Sequence, residues 1–287
     1  MIPKFSKIPC KSITMESIKD FLADRKTKRI NFAWIQQNAL RPNKDRETFA
    51  KWWFDIPFTE SIELLLSKDL GIPIAFPSKN YDNYCRYFKD EDKDQLDKYK
   101  ETLEKCKNLV FLRDCLDISL ALSMNIGNAN ERTELGEAEY QVKYHPQGSD
   151  TCRYFNLLVS ETQKWLEQLP YLKEADYICC VPTSHTFMKQ IVSQLTGFGF
   201  KDISAGISWI SKQKQLKEAE NSIQKLDILN RSGLKISTGI DLKNKTVLLM
   251  DDLYQSGTTM QFVAMKLKQA GARHVYGLAL VKALSND

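Results

Sequence analysis

The sequence predicts an α/β protein whose C-terminal half is a doubly wound parallel sheet and whose N-terminal region is mainly helical. Two observations carry this. From about residue 150 onward, short apolar runs alternate with amphipathic stretches, the pattern of strands joined by crossover helices. One of those runs, Val247-Leu248-Leu249-Met250, is continuously apolar and ends in two carboxylates. That is how a strand buried on both faces behaves where it reaches the open edge of its sheet.

In chain order, amphipathic spacing predicts helices at Met15 to Arg25, Arg46 to Phe54, Thr59 to Leu70, Glu91 to Lys107 and Leu109 to Met124. Gly71 to Pro77 reads as one strand, kept at a sheet edge by Pro73 and Pro77. Residues 125 to 150 are rich in Gly, Asn, Glu and Gln, so they read as a loop or hairpin. A domain border near residue 145 follows, dividing the chain into 1–145 and 146–287. Beyond it the expected elements are a helix over Asp150 to Leu169, a strand over Tyr177 to Val181 and a helix over Thr186 to Thr196. A strand over Ile203 to Ile210, a strand over Lys245 to Met250, a helix over Thr258 to Ala270 and a strand over His274 to Val281 complete the series.

Bulk properties narrow the function classes. The 43% hydrophobic content over 287 residues supports a real core. Neither a signal-peptide core nor an apolar run of membrane-spanning length stands out, so a cytoplasmic protein with no membrane partner is expected. The seven cysteines form no CxxC pair and there are only three histidines, which predicts reduced thiols and no zinc site. Adjacent Cys179 and Cys180 read as strand residues facing opposite sides of a sheet. Charge is uneven: residues 1–50 hold 11 Lys or Arg against 5 Asp or Glu, residues 51–150 hold 13 against 19, and residues 151–287 hold 17 against 12. Local basicity favours anionic partners, whether a small phosphate or a nucleic acid.

The chemistry concentrates in Thr246 to Met260. Asp251 and Asp252, at the carboxyl end of a buried strand, are placed to accept hydrogen bonds from the vicinal hydroxyls of a ribose. Gln255-Ser256-Gly257-Thr258-Thr259 follows as a hydroxyl-rich loop that opens a helix, and backbone N–H groups at a helix start hold phosphate. A diol binder followed by a phosphate cradle describes a ribose 5-phosphate site.

This stretch resembles the phosphoribosyl pyrophosphate signature of type I phosphoribosyltransferases, in which four apolar residues precede two acids and a Thr-Gly-x-Thr loop; Ser256 stands for the first threonine. Ala270 to Val281 looks like the helix end and next strand of the ComF-like branch of that family, and the likeness spans roughly residues 150 to 285. The N-terminal half is not covered, and the zinc-binding cysteine cluster usual there in ComF-like proteins is absent.

The resemblance implies a glycosyltransferase of nucleotide metabolism that binds phosphoribosyl pyrophosphate with Mg2+ and passes phosphoribose to a base or other acceptor. Asp251 and Asp252 are then the catalytic pair, touching the metal indirectly through the ribose-bound ion, and residues 255 to 259 hold the 5-phosphate. Thr183, Ser184 and His185, after the strand at 177, are in the position of the pyrophosphate loop. The polar segment from Ser211 to Gly233, with Lys212, Lys214, Lys217, Lys225 and Arg231, lies where relatives carry a lid, although it also reads as a solvated helix. Homodimers are common in this fold, although the sequence itself carries no interface signature.

Two other classes stay open. One is a non-catalytic sensor that binds phosphoribosyl pyrophosphate or a nucleotide. The other is a nucleic-acid-associated protein in DNA uptake, DNA processing or phage defence. For the latter, Arg25, Lys26, Lys28, Arg29, Phe32, Trp34, Arg41, Lys44, Arg46, Lys51, Trp52, Trp53 and Phe54 interleave cations with rings that suit single-stranded nucleic acid. Ordinary helices with aromatics inside and charges outside account for the same stretch.

Overall fold

The computed structural model describes residues 12–23, 109–127, 130–211 and 219–284, with short backbone stretches at 32–33, 40–42, 52–56, 79–80 and 85–89 and residue 101. The first element is helix α1 (Met15–Ala23), capped reciprocally: Ser17 N–H donates to Thr14 Oγ1 (3.0 Å) and Thr14 N–H donates to Ser17 Oγ (2.9 Å). Strands β1 (Phe32–Ala33), β2 (Leu40–Pro42), β3 (Trp52–Ile56), β4 (Lys79–Asn80) and β5 (Cys85–Lys89) follow. A hairpin of β6 (Val110–Leu112) and β7 (Ile118–Met124) leads to helices α2 (Glu134–Tyr144), α3 (Thr151–Gln168) and the short α4 (Pro170–Lys173). Next come β8 (Tyr177–Cys180), α5 (Phe187–Gln194), β9 (Lys201–Asp202), β10 (Ile207–Trp209), α6 (Ser222–Ser232) and β11 (Leu234–Ile236). The chain closes with β12 (Thr246–Tyr254), α7 (Thr258–Gln269) and β13 (His274–Lys282).

The main sheet has the order β1-β6-β7-β13-β12-β8-β9. Neighbours from β7 to β9 are parallel, while β6 is antiparallel to β7 and β1 to β6. The period-two alternation of a strand sorts β12 onto two cores. Leu248 and Met250 join the side packed under α2, α3 and α5, while Val247 and Leu249 join the side packed under α1, α6 and α7. All four are fully buried, each contributing about 1.5–3 kcal/mol of transfer free energy, which is why this run is apolar without a break. The result is a sheet with helices on both faces.

Several sequence expectations change. Leu109 to Met124 is the β6–β7 hairpin and not a helix; a run this apolar satisfies the helical and the strand period together, and burial on both faces selects the strand. Residues 52–54 of the expected helix Arg46 to Phe54 lie in β3, part of a separate antiparallel sheet ordered β2-β3-β5-β4. Within the expected loop 125–150 stands α2, started by the Thr133 side chain, whose Oγ1 accepts from Gly136 N–H at 3.0 Å. Only Ile207–Trp209 of the strand expected over 203–210 is extended, and it pairs antiparallel with β11 away from the main sheet. The sheet also runs through the border drawn near residue 145, because β6, β7 and α2 precede it and α1 packs on α6 and α7. Thr59 to Leu70, Gly71 to Pro77 and, apart from Glu101, Glu91 to Lys107 lie outside the described residues.

Candidate functional site

Chain direction in the sheet locates a crevice. From β8 the chain moves outward to β9, whereas from β12 it moves the other way to β13, so the winding reverses between the neighbours β8 and β12. Such a switch point opens a groove at the carboxyl ends of the two strands. Their pairing stops at Met250↔Cys180 and one further bond, Val181 N–H to Met250 O (2.8 Å). Beyond it β12 continues alone on that side, carrying Asp251 and Asp252 into the groove.

The loop after β12 has the form expected of it. Gly257 sits at φ +73°, and a Cβ there would run into the Tyr254 ring and hydroxyl, so only glycine fits. Ser256 Oγ and Thr258 Oγ1 lie 2.7 Å apart, and both residues are buried. Gly257, at the N-cap of α7, has no side chain with which to close the first turn, whose N–H groups point out of the amino end of the helix. Gln255 is exposed and Thr259 partly so. Across the switch point, Thr183 and Ser184 are exposed and His185 half-buried, with His185 N–H donating to Thr183 Oγ1 at 3.3 Å. The two loops thus follow adjacent strands and flank one groove.

Helix α2 forms a wall of this groove. It begins beside the end of β7, where Thr133 N–H donates to Asn125 O (3.1 Å); Gly136 is required there because a Cβ would strike the Asn125 backbone. Its last turn reaches β12 and the loop after β8. Lys143 Nζ lies 2.9 Å from Asp252 Oδ2 and 3.1 Å from Glu139 Oε1, one helical turn back, while the Tyr144 ring meets the His185 ring edge-on at 6.2 Å. Asp252 is 8% exposed and Glu139 3%, so this ion bridge is shielded from water.

Electrostatics follow from that burial. Burial, then the charge of Asp252, pushes the Asp251 carboxyl well above the usual range, and Lys143 and Lys225 only partly offset this. Burial also raises Glu139, against the pull of Lys143. For Lys143 burial works the other way, but Asp252 and Glu139 outweigh it and hold its proton above the ordinary lysine range. Burial lowers Lys225 on α6, with Asp251 opposing. Of the other cations expected in a lid, Arg231 lies in the last turn of α6, and Lys212, Lys214 and Lys217 are outside the described residues.

Sequence reasoning missed Glu139, Lys143, Asp114 and the role of Tyr254. The Glu139-x-x-x-Lys143 spacing was a usable signal once residues 134–144 are read as a helix. Asp114, whose Oδ2 accepts from Tyr254 OH at 2.9 Å, carries none, being 140 residues away. Among the described residues no three His, Cys, Asp or Glu side chains gather into a metal-holding group. No helix among them is long and apolar enough to cross a membrane. The chain matches no protein-family model, and no curated protein matches it.

Proposed function

We propose that the chain is a phosphoribosyltransferase of the type I kind, ComF-like in its C-terminal half, that binds phosphoribosyl pyrophosphate and transfers phosphoribose to a base or other acceptor. One observation carries the reading: an acid pair and a left-handed Gly257 loop that opens helix α7, facing a second loop across the reversal between β8 and β12.

In this reading Asp251 and Asp252 fix the ribose hydroxyls and place negative charge near the oxocarbenium-like carbon. Ser256, Thr258 and the first N–H groups of α7 anchor the 5-phosphate, and Thr183 to His185 receive the pyrophosphate. Leaving-group displacement at the anomeric carbon asks for positioning and charge stabilisation more than for covalent help from the protein.

Magnesium fits as the counter-ion of the pyrophosphate, lending charge neutralisation when bound. The oxygen donors suit it. In this reading the acids would act on the ribose and not on the ion: Asp252 Oδ1 accepts from Leu253 N–H (2.7 Å), Asp252 Oδ2 pairs with Lys143 and Asp251 Oδ1 accepts from Asp252 N–H (3.0 Å).

A sensor that binds without turnover is the second reading. It is favoured by the loop Pro182-Thr183-Ser184-His185, which lacks glycine and turns the Thr183 hydroxyl toward its own backbone. Release of pyrophosphate with a panel of bases and Mg2+ separates the two. Turnover supports the transferase; ligand-dependent thermal stabilisation without turnover supports the sensor; neither, at millimolar ligand, sinks both. The nucleic-acid reading rests on the basic and aromatic stretch between Arg25 and Phe54, whose side chains lie outside the described residues.

A further inference from the structure

We propose that Lys143 is a positioning residue that serves as the resident counter-ion of Asp252, so that a ribose docks on the acid pair without a divalent ion there. The proposal rests on the ribose 5-phosphate reading of the site and assigns it a residue outside the β12 signature. Three observations support it. Lys143 Nζ lies between two buried carboxylates, at 2.9 Å from Asp252 and 3.1 Å from Glu139, an ion bridge that holds its charge beside Asp252. Asp252 gives one lone-pair direction of Oδ1 to Leu253 N–H and one of Oδ2 to Lys143, leaving one on each oxygen for the two hydroxyls of a vicinal diol. The helix that carries Lys143 is itself held in place, because its Leu135, Ala138 and Val142 are in the core.

Without that ammonium, Asp252 would stand beside Asp251 and Glu139 with its charge uncompensated and its carboxylate free to turn. A dissolved ion would have to supply what Lys143 supplies. Glu139 then has a role despite its cost in burial, since it keeps the lysine from swinging out of the groove.

The test compares two probes, inorganic phosphate and ribose 5-phosphate, by isothermal titration in EDTA and in Mg2+. The contrast matters because a merely structural defect moves both affinities, whereas the ribose contribution is their ratio. The unmodified chain is expected to bind ribose 5-phosphate at least about tenfold more tightly than phosphate, equally in EDTA and Mg2+, as charge-assisted hydrogen bonds would give. Lys143→Met is expected to bring that ratio near one while keeping phosphate affinity, and Lys143→Arg to keep the ratio. Should Lys143→Met fold poorly, Glu139→Gln with Lys143→Met removes one stranded carboxylate and carries the same expectation.

A ratio that survives Lys143→Met, or one that exists only with Mg2+ in the unmodified chain, overturns the proposal. A ratio near one in the unmodified chain overturns the ribose reading itself and this proposal with it.

Discussion

The Tyr254 hydroxyl donates a 2.9 Å hydrogen bond to Asp114 Oδ2, and it does so in the space left by the missing side chain of Gly257. The loop that opens α7 is therefore shaped from below by a buried pair whose members come from β12 and the β6–β7 turn. Gly257→Ala is expected to cost stability by about 1–3 kcal/mol, since it combines a strained positive φ with a clash against a ring that is 1% exposed. Thermal melts with and without phosphate check this: the variant should melt lower and lose its phosphate response.

Tyr254→Phe keeps the ring and removes only the donor to Asp114. A loss of about 1–3 kcal/mol is expected from the buried hydrogen bond. Chemical denaturation reads it, and an unchanged midpoint would mean the bond adds nothing to the loop.

Asp251→Asn with Asp252→Asn is expected to abolish stabilisation by phosphoribosyl pyrophosphate and Mg2+. Because burial already holds Asp251 toward its neutral form, Asp252→Asn alone should do most of the damage. Single and double variants in one thermal-shift series decide the order.

At the opposite, amino end of the sheet, Asp117 accepts from Val275 N–H (2.8 Å) and pairs with Lys268 Nζ (2.8 Å). Burial pushes its carboxyl up, but the facing His274, Lys268 and the Val275 N–H outweigh this and hold it below the ordinary range. A depressed folded value means the stabilisation is present above the unfolded value, about 3.9, and is lost as pH falls through the folded one. Asp117→Asn should thus be less stable at neutral pH, by about 3–5 kcal/mol for a broken buried pair. The gap to the unmodified chain should close in strong acid, as urea melts across pH would reveal.

Burial pushes the thiols of Cys179 and Cys180 up, the former strongly, and both are inaccessible. Cys152 is exposed. Iodoacetamide on the native protein should label Cys152 and spare the pair until denaturant is added, as peptide mapping will show.

Much of the sheet from residue 177 onward was legible because burial on both faces writes itself as unbroken apolar runs, and the β12 strand with its loop follows the expected order. The β6–β7 hairpin was not legible, since Leu109 to Met124 fits both periods and only its pairing with β13 resolves the choice. Helix α2 hid behind polar composition, having just Leu135, Ala138 and Val142 as an apolar spine. The spacing of Glu139 and Lys143 was legible only once α2 is read as a helix, and the pairing of Lys143 with Asp252 was not legible at all, because the two lie 109 positions apart and no local pattern announces a pair of that separation.

The place of β13 sets an order of events during synthesis. This strand, His274–Lys282, lies in the middle of the sheet between β7 and β12. A nascent chain that ends before it has β7 on one side and β12 with β8 on the other without the strand that hydrogen-bonds to both, so the continuous sheet beneath the groove and its α2 wall is complete only once β13 has been made.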